Sequence, residues 1–260
     1  MRRQSLPTEM APLLDVRRLS IFAQGPTGEK SITIATSLSV AKGETIGIVG
    51  ESGSGKSLTA RAILGLLPQN VSAKGVVRFD DRDILNLSEA ELQRLRGSQI
   101  SLIFQDPFTM LNPLHKCGKH IEEVLRHRKK FGSHKDLTAE VKLRLQEVGI
   151  HDPNVAERYP FQLSGGMCQR VGLAAALAGD PDLLIADEPS TALDVTTQAE
   201  ILKLLRRTQK ERGMSLVLIT HDLRLAFSTC DRVYVLYAGS ILEIGDAKDI
   251  EQEPFHPYTL

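Results

Sequence analysis

The stretch TIGIVGESGSGKS, residues 45–57, joins a mostly apolar run to a glycine-rich loop that opens a helical run. The apolar run Thr45–Val49 is typical of a strand buried on both faces of a sheet. Gly50–Ser57 matches a pattern in which glycines turn consecutive backbone N–H groups around phosphate oxygens, beside a positive helix N-terminus. The sequence therefore predicts a phosphate-binding loop between a buried strand and a helix over Ser57–Leu67, before Pro68.

Two side chains of this loop have defined roles in the pattern. Lys56 is expected to reach the β- and γ-phosphates of a nucleotide, and Ser57 to ligate Mg²⁺. The other loop residues expected to hold the cofactor are Gly50, Glu51, Ser52, Gly53, Ser54 and Gly55. A flexible Gly/Ser turn is the alternative interpretation, but the strand and helix on either side favour phosphate binding.

Two adjacent carboxylates end a second buried run, Leu183–Ala186. Asp187 is predicted to hold Mg²⁺, directly or through the water shell of the ion on Ser57, and Glu188 to orient and deprotonate the attacking water. An apolar run before Asp-Glu is common, so this assignment depends on the phosphate loop. Together the two elements define a nucleotide-binding fold that kinases, helicases and small GTPases share.

The sequence LSGGM at Leu163–Met167 resembles the signature motif of ABC (ATP-binding cassette) ATPases. Ser164 is expected to cap a helix, and Gly165 and Gly166 to expose backbone N–H groups beside its positive end. In that family, this surface binds the γ-phosphate of ATP held by the opposite subunit. A capped helix with a loose start would also explain these residues, but not the motifs that accompany them.

Three further motifs follow the order of that family. Gln105, after a predicted strand, resembles the Q-loop, which ligates Mg²⁺ or water and reports the nucleotide state to the membrane partner. Ser190–Asp194 resembles the D-loop, which crosses the dimer interface. His221, after the strand ending at Thr220, resembles the switch histidine that contacts the γ-phosphate.

The resemblance to ABC ATPases implies a set of site residues and two cofactors, ATP and Mg²⁺. The implied catalytic residues are Glu188, His221 and Gln105; the implied metal ligands are Ser57, Gln105 and Asp187; and Asp194 joins Ser164, Gly165 and Gly166 in binding nucleotide. The family usually stacks adenine on an aromatic residue before the phosphate loop. The corresponding turn here has Thr27 and Glu29, with Phe22 the nearest aromatic residue.

Two longer stretches narrow the resemblance to ATPases of oligopeptide, dipeptide and nickel importers. They are QDPF at 105–108, continuing to LNPL at 111–114, and PFHPYTL at 254–260. The second stretch alone would be a proline-rich loop. The resemblance implies a peripheral ATPase on the cytoplasmic side of the inner membrane that powers uptake of peptides through transmembrane permease subunits. It also implies a second ABC cassette, identical or different, and indirectly a solute-binding protein. Nickel is the alternative solute.

Alternating strands and helices predict an α/β fold: a P-loop NTPase (ABC ATPase) core with a mostly parallel sheet, an N-terminal antiparallel β subdomain and a helical insertion subdomain. We expect an ABC ATPase domain over residues 1–250, with a helical signature subdomain at about 106–170, and the start of a truncated HPYT-type C-terminal extension at 251–260. The further predicted strands are Leu13–Ala23, Ser31–Val40, Gly75–Asp80, Ser98–Phe104, Ser215–Thr220, Val233–Tyr237 and Ser240–Ile244. The further predicted helices are Ser88–Arg96, Ile121–Arg128, Thr138–Val148, Gly165–Ala178 and Thr196–Arg212.

Composition argues against a nucleic-acid partner, a metal site built from the cysteines and a membrane-spanning segment. Lys plus Arg and Asp plus Glu are equal at 32 each, so no global charge points to nucleic acid as a partner. Cys117, Cys168 and Cys230 have no metal-ligand spacing, which indicates incidental thiols in a reducing compartment. No stretch approaches the ~20 consecutive apolar residues that cross a bilayer, so a partner would have to hold the chain at a membrane.

The main alternative is a soluble ABC ATPase without a transporter. DNA-repair and chromosome types carry long coiled-coil or zinc insertions, whereas this insertion is short and has no metal spacing. Translation types pair two cassettes through a charged linker, which this sequence lacks. A non-catalytic regulatory cassette is a third class, and Glu188 and His221 argue against it.

Overall fold

The computed structural model describes residues 11–26, 28–128, 131–190 and 193–259. In chain order the strands are β1 (Leu14–Gly25), β2 (Gly28–Val40), β3 (Thr45–Val49), β4 (Val71–Phe79), β5 (Arg82–Asp83), β6 (Ile100–Ile103), β7 (Leu183–Asp187), β8 (Ser215–Thr220), β9 (Arg232–Tyr237) and β10 (Ser240–Asp246). The α-helices are α1 (Lys56–Ile63), α2 (Glu89–Leu95), α3 (Pro107–Met110), α4 (Cys117–Arg128), α5 (His134–Glu147), α6 (Gly165–Ala178), α7 (Val195–Arg212), α8 (Leu223–Thr229) and α9 (Ala247–Gln252).

The strands form two sheets, which confirms the predicted fold class. An antiparallel sheet has the order β2-β1-β4-β5. A six-stranded sheet has the order β10-β9-β3-β8-β7-β6, parallel except for the β9–β10 hairpin. The loops after β3, β6, β7 and β8 therefore leave the same edge of the parallel sheet, where ligand sites of α/β folds lie.

Alternate residues of the central strands face two hydrophobic cores. In β8, Leu216 and Leu218 join a core shared with α4–α7, whereas Val217 and Ile219 join a core shared with α1 and the antiparallel sheet. All six residues of β8 are buried. Burial on both faces explains why this strand is a continuous apolar run in the sequence rather than an alternating one.

Helix α1 ends at Ile63 and not at the predicted Leu67. Gly65 adopts a left-handed conformation with φ 62° and turns the chain away. The guanidinium of Arg96 donates to the carbonyl oxygens of Leu64, at 2.8 Å, and Gly65, at 3.0 Å, so a residue some thirty positions later along the chain caps the helix. Pro68 is therefore not what ends the helix.

Other predicted boundaries were close. Helix α6 and strands β3 and β8 have the predicted limits. Helices α4 and α5 begin four residues before the predicted Ile121 and Thr138, because each first turn holds at most one large apolar side chain, too few to show the apolar period. Helices α8 and α9 had no prediction. The division at residue 250 stays a prediction, as does the subdomain at about 106–170, which contains α3, α4 and α5.

An ion-pair cluster fastens the helical insertion to the core. The carboxylate of Asp180, just after α6, accepts hydrogen bonds from three guanidinium groups: Arg128 of α4, Arg144 of α5 at 3.2 Å, and Arg212 of α7 at 2.7 Å. Arg212 also donates to Glu147 at 2.6 Å. The side chains of Arg144 and Arg212 are only 13% and 19% exposed, so the cluster is shielded from solvent more than an ordinary surface pair.

Asp180→Asn is expected to lower the free energy of unfolding by about 1–2 kcal/mol, because it removes one of the two carboxylates that the partly buried Arg144 and Arg212 share, the other being Glu147. Asp80→Asn is a matched control, since both residues have a left-handed backbone, with φ 45° and 47°, which Asn tolerates. Among the residues that the structure describes, Asp80 pairs only with the exposed Lys42 at 3.7 Å, so its replacement should change stability by less than about 0.5 kcal/mol. Urea unfolding measures both, and equal effects would contradict a role for the cluster.

Candidate functional site

The phosphate loop follows β3, and at two of its positions there is no room for a side chain, so only glycine fits. A Cβ atom on Gly50 would lie 1.9 Å from the carbonyl oxygen of Leu236, and one on Gly55 would lie 2.3 Å from Cγ2 of Thr33. Gly53 faces open space but has φ 80°, a conformation that favours glycine. The loop is thus in close contact with β9 at Gly50 and with β2 at Gly55, and these contacts fix its backbone in a shape that can bind a ligand.

Lys56 is the first residue of α1 and its side chain is folded into the loop. The Nζ atom donates to the carbonyl oxygens of Gly50, at 2.8 Å, and Glu51, at 2.7 Å. Burial lowers the pKa of Lys56, while the charges of Glu188 and Asp187 oppose that shift. The loop therefore presents a desolvated cation, which a phosphate group can pair with more strongly than in water.

Asp187 lies at the end of β7, next to the start of α1. Its Oδ1 atom accepts a hydrogen bond from Ser57 Oγ at 2.9 Å. Burial raises the pKa of Asp187, the neighbouring charge of Glu188 adds to the shift, and the bond from Ser57 opposes it. The structure thus joins two predicted metal ligands through a hydrogen bond at the edge of the sheet.

Glu188 meets two side chains that follow the neighbouring strands. Gln105 Nε2 donates to Glu188 Oε2 at 3.0 Å, and His221 Nδ1 lies 3.2 Å from the same oxygen. The backbone of Glu188 has φ 46°, a left-handed conformation that is rare for a side chain of this size, and its N–H donates to the carbonyl oxygen of Ile219 at 2.9 Å. The three predicted catalytic residues therefore form one cluster beyond β6, β7 and β8.

A cleft of about 690 Å³ opens beside this cluster. It is lined by Ser57, Arg61, Leu66, Phe104, Gln105, Asp106, Thr109 and Asp187. Arg61 and Phe104 were not predicted from the sequence; the Arg61 guanidinium lies 5.8 Å from the centroid of the Phe104 ring. The signal for Arg61 is its spacing, because a residue four positions after Ser57 lies on the same helix face.

The signature residues form a separate surface at the start of α6. Ser164 Oγ accepts from the N–H of Met167 at 3.3 Å, as predicted for a helix cap. A Cβ atom on Gly166 would lie 2.7 Å from Cγ2 of Thr197, and one on Gly165 would lie 3.6 Å from Leu193, so both glycines pack against the start of α7. Within the described ranges, Lys56 and Ser57 make their hydrogen bonds to other residues and not to this surface.

Asp194 caps α7 beside the signature residues. Its carboxylate accepts from the N–H groups of Thr196, at 3.1 Å, and Thr197, at 3.0 Å, and from Thr197 Oγ1 at 2.7 Å. The hydrogen bonds from Thr197 lower the pKa of Asp194. The structure gives this carboxylate a capping role, and its predicted contact with nucleotide stays a prediction. Thr191 and Ala192 of the predicted D-loop lie outside the described residues.

The structure adds one observation on adenine stacking. Phe22 is part of β1, and Lys74 Nζ lies 5.0 Å from the centroid of its ring. Glu29 accepts a hydrogen bond from Gln24 Nε2 at 3.3 Å, and Thr27 lies outside the described residues. Lys74 therefore lies over one face of the ring of Phe22, the aromatic residue nearest in sequence to the turn where adenine stacking was expected.

The donor set at the edge of the sheet fits Mg²⁺. Ser57, Asp187 and Gln105 offer hydroxyl, carboxylate and amide oxygens, which are the hard ligands that this ion prefers. Asp187 is 5% exposed and lies beside the carboxylate of Glu188, so a divalent cation would offset a buried concentration of negative charge.

Asp187→Asn is expected to raise the melting temperature of the protein without nucleotide by about 2–4 °C, because it removes a buried charge while keeping an oxygen for Ser57. The same change should abolish hydrolysis that depends on Mg²⁺. Asp182→Asn, an exposed control just before β7, should leave both unchanged. Thermal unfolding and phosphate release measure the two effects, and a lower melting temperature for Asp187→Asn would contradict the electrostatic argument.

Comparisons with known proteins find relatives of this chain by sequence. The profile of the family described as "ABC transporter" matches residues 35–191. The chain is 50% identical over 253 residues to the dipeptide transport ATP-binding protein DppD of Haemophilus influenzae, covering 95% of this chain and 75% of that protein. It is 45% identical over 251 residues to the oligopeptide transport ATP-binding protein OppD of Escherichia coli, covering 95% and 74%.

Two solved structures have the same fold. One is a dimeric post-hydrolysis state of the ATP-binding cassette MJ0796 bound to ADP and Pi, with 28% identity, a TM-score of 0.81, and coverage of 90% of this chain and 98% of that chain. The other is cbiO1 of Clostridium perfringens, part of the transporter complex cbiONQ, with 28% identity, a TM-score of 0.79, and coverage of 94% and 92%.

Proposed function

The chain belongs to the ABC transporter family, whose cassettes bind and hydrolyse ATP, and we propose that it powers an importer of dipeptides or oligopeptides. The observation that carries the proposal is the 50% identity to a dipeptide transport ATP-binding protein over 95% of this chain. The QDPF–LNPL stretch, which led to the same solute class, lies within that range. Nickel uptake and the transporter-free types receive no support from the relatives described above.

The phosphate loop holds the triphosphate of ATP. Lys56 pairs with the β- and γ-phosphate oxygens in place of its present bonds to the carbonyls of Gly50 and Glu51. Ser57, Asp187 and Gln105 would hold Mg²⁺, which supplies charge neutralisation at the β- and γ-phosphates. Hydrolysis needs little covalent chemistry from the protein, so positioning and charge do most of the work.

Glu188 orients the attacking water and takes its proton. Its Oε2 atom is fixed by Gln105 and His221, which contact it from the two sides of β7. A carboxylate held in one orientation places the water in line with the γ-phosphate at a low entropic cost. His221 is 56% exposed and lies next to the cleft, which suits a residue that contacts the γ-phosphate.

The second half of each ATP site comes from another cassette. The capped start of α6 presents the N–H groups of Gly165 and Gly166 and the hydroxyl of Ser164, a group of donors suited to an anion. As the first N–H groups of α6, those of Gly165 and Gly166 have no carbonyl partner within the helix, so they are available to an anion held by a cassette that faces them head to tail. A second copy is the simplest partner, and a different cassette is the other.

The helical insertion passes the nucleotide state to transmembrane permease subunits, which also hold the chain at the cytoplasmic face of the inner membrane. Gln105 begins this segment and is bonded directly to Glu188, so a change at the γ-phosphate reaches the insertion through one side chain. Among the described residues, no helix is long and apolar enough to cross a bilayer.

Reconstitution with permease tests the proposed function. Membrane subunits that co-purify with the tagged chain are placed in vesicles with ATP on the side of the cassette, and uptake of labelled dipeptide and of nickel is measured. We expect uptake of dipeptide, dependent on ATP and lost with Lys56→Ala. Uptake of nickel without peptide, or co-purification with DNA or ribosomes in place of membrane subunits, would contradict the proposal.

A further inference from the structure

The HPYT loop (residues 256–259) is folded back on strand β10 by one carboxylate. Glu243 accepts from the N–H of Phe255 at 2.8 Å and from Thr259 Oγ1 at 2.7 Å. The loop is also closed on itself, because the N–H of Thr259 donates to the carbonyl oxygen of His256 at 2.9 Å. Thr259 is 8% exposed, so the hydrogen bonds that it makes are largely shielded from solvent. The loop thus has a defined shape on the sheet.

This loop places an aromatic ring beside the phosphate loop. Strands β3 and β9 are parallel neighbours in which Val49 pairs with Val235. The next residues, Gly50 and Leu236, are in close contact, since a Cβ atom on Gly50 would lie 1.9 Å from the carbonyl oxygen of Leu236. Tyr237, the residue after Leu236, is the last residue of β9.

Tyr258 packs on Tyr237. The two ring centroids lie 6.0 Å apart with the planes tilted by 47°, and the ring of His256 lies 6.3 Å from that of Tyr237. This is a favourable geometry for aromatic pairs. Burial raises the pKa of the Tyr258 hydroxyl, and the negative charge of Glu51 adds to the shift, in agreement with a position next to the phosphate loop.

We propose that Tyr258 is a positioning residue for ATP binding: the HPYT loop holds its ring against Tyr237 and thereby fixes the end of β9, where Leu236 lies against Gly50 of the phosphate loop. The link to the nucleotide runs through Gly50, because its carbonyl oxygen is one of the two acceptors that hold Lys56 Nζ. A fixed Gly50 backbone keeps the ammonium where the phosphates arrive. Less ordering is then needed when ATP binds.

The proposal rests on the ATP site described above and makes a separate prediction. Tyr258→Ala is expected to raise the Kd for a fluorescent ATP analogue and the KM for ATP about three- to tenfold, with kcat within about twofold of the parent. Tyr258→Phe keeps the ring and should restore the parent values. Phe255→Ala is the matched control, because this side chain in the same segment is 93% exposed.

A double-mutant cycle tests the contact itself. If Tyr258 acts through Tyr237, the pair Tyr237→Ala/Tyr258→Ala should weaken ATP binding no more than the worse single change. Thermal unfolding of each variant shows whether the fold is intact. If Tyr258→Ala does not fold, Glu243→Gln weakens the attachment of the HPYT loop and should raise the Kd on its own.

Three results would overturn the proposal. They are an unchanged Kd in Tyr258→Ala, or in Glu243→Gln where that variant replaces it; an equal rise in Phe255→Ala; and a Tyr258→Phe variant as weak as Tyr258→Ala. None of these would affect the proposed function, since that would be contradicted by loss of peptide uptake in the parent protein.

Discussion

Replacing Glu188 with Gln is expected to slow ATP turnover by about 10²- to 10³-fold, because a positioned general base contributes that much. The amide keeps the size of the side chain but cannot take the proton of the attacking water. ATP affinity should stay within about threefold of the parent, since the phosphates are held by the loop and not by this residue. Phosphate release in single-turnover experiments and titration with a fluorescent ATP analogue measure the two quantities.

The control for this change is Glu211→Gln, on the exposed surface of α7, where Glu211 lies 3.8 Å from Arg207. It should leave turnover unchanged. Gln105→Ala and His221→Ala each remove one contact to Glu188 Oε2 and should lower kcat less, by about tenfold. Parent-like hydrolysis by Glu188→Gln would show that another group is the base.

Replacing Lys56 with Ala is expected to weaken ATP binding by about 10²- to 10³-fold, as for loss of one partner of a buried, hydrogen-bonded charge pair. The change removes the desolvated cation of the loop and leaves the carbonyl oxygens of Gly50 and Glu51 without their donor. Isothermal titration with ATP and Mg²⁺ measures the affinity.

Lys42→Ala serves as the control, since Lys42 lies just before β3 with its side chain 60% exposed. It should bind ATP as the parent does. If the Kd of Lys56→Ala for ATP stayed within about threefold of the parent value, the proposed role of Lys56 in binding the phosphates would be wrong. A buried charge contact of this kind contributes more to affinity than that.

Much of the fold could be predicted from the sequence because local signals agree with burial. Helix α6 begins at the Ser164 cap and ends before Gly179, and β8 is a continuous apolar run; both have the predicted limits. Helix α1 shows where the prediction relied on the wrong local signal. The helix ends before the left-handed Gly65 and not at Pro68. The hydrogen bond from the guanidinium of Arg96, which reaches this end from a distant part of the chain, is contained in no local pattern.

The functional site likewise has parts that the sequence predicts and parts that depend on the fold. The phosphate loop and Asp187–Glu188 could be found because each motif follows directly on a buried strand. That Gln105 and His221 both bond Glu188 depends on the order β8-β7-β6, which the sequence alone leaves open. The position of Tyr258 depends likewise on β9 lying beside β3.

The proposed mechanism requires that ATP lies between the phosphate loop of one cassette and the Ser164 surface of another. The most direct test is light scattering coupled to size-exclusion chromatography on Glu188→Gln protein, with and without ATP. We expect ATP to shift the mass from one chain to two, and the additional change Ser164→Arg to prevent the shift. An ATP-bound protein that keeps the mass of one chain at every concentration would contradict the claim that this surface completes the site of a second copy.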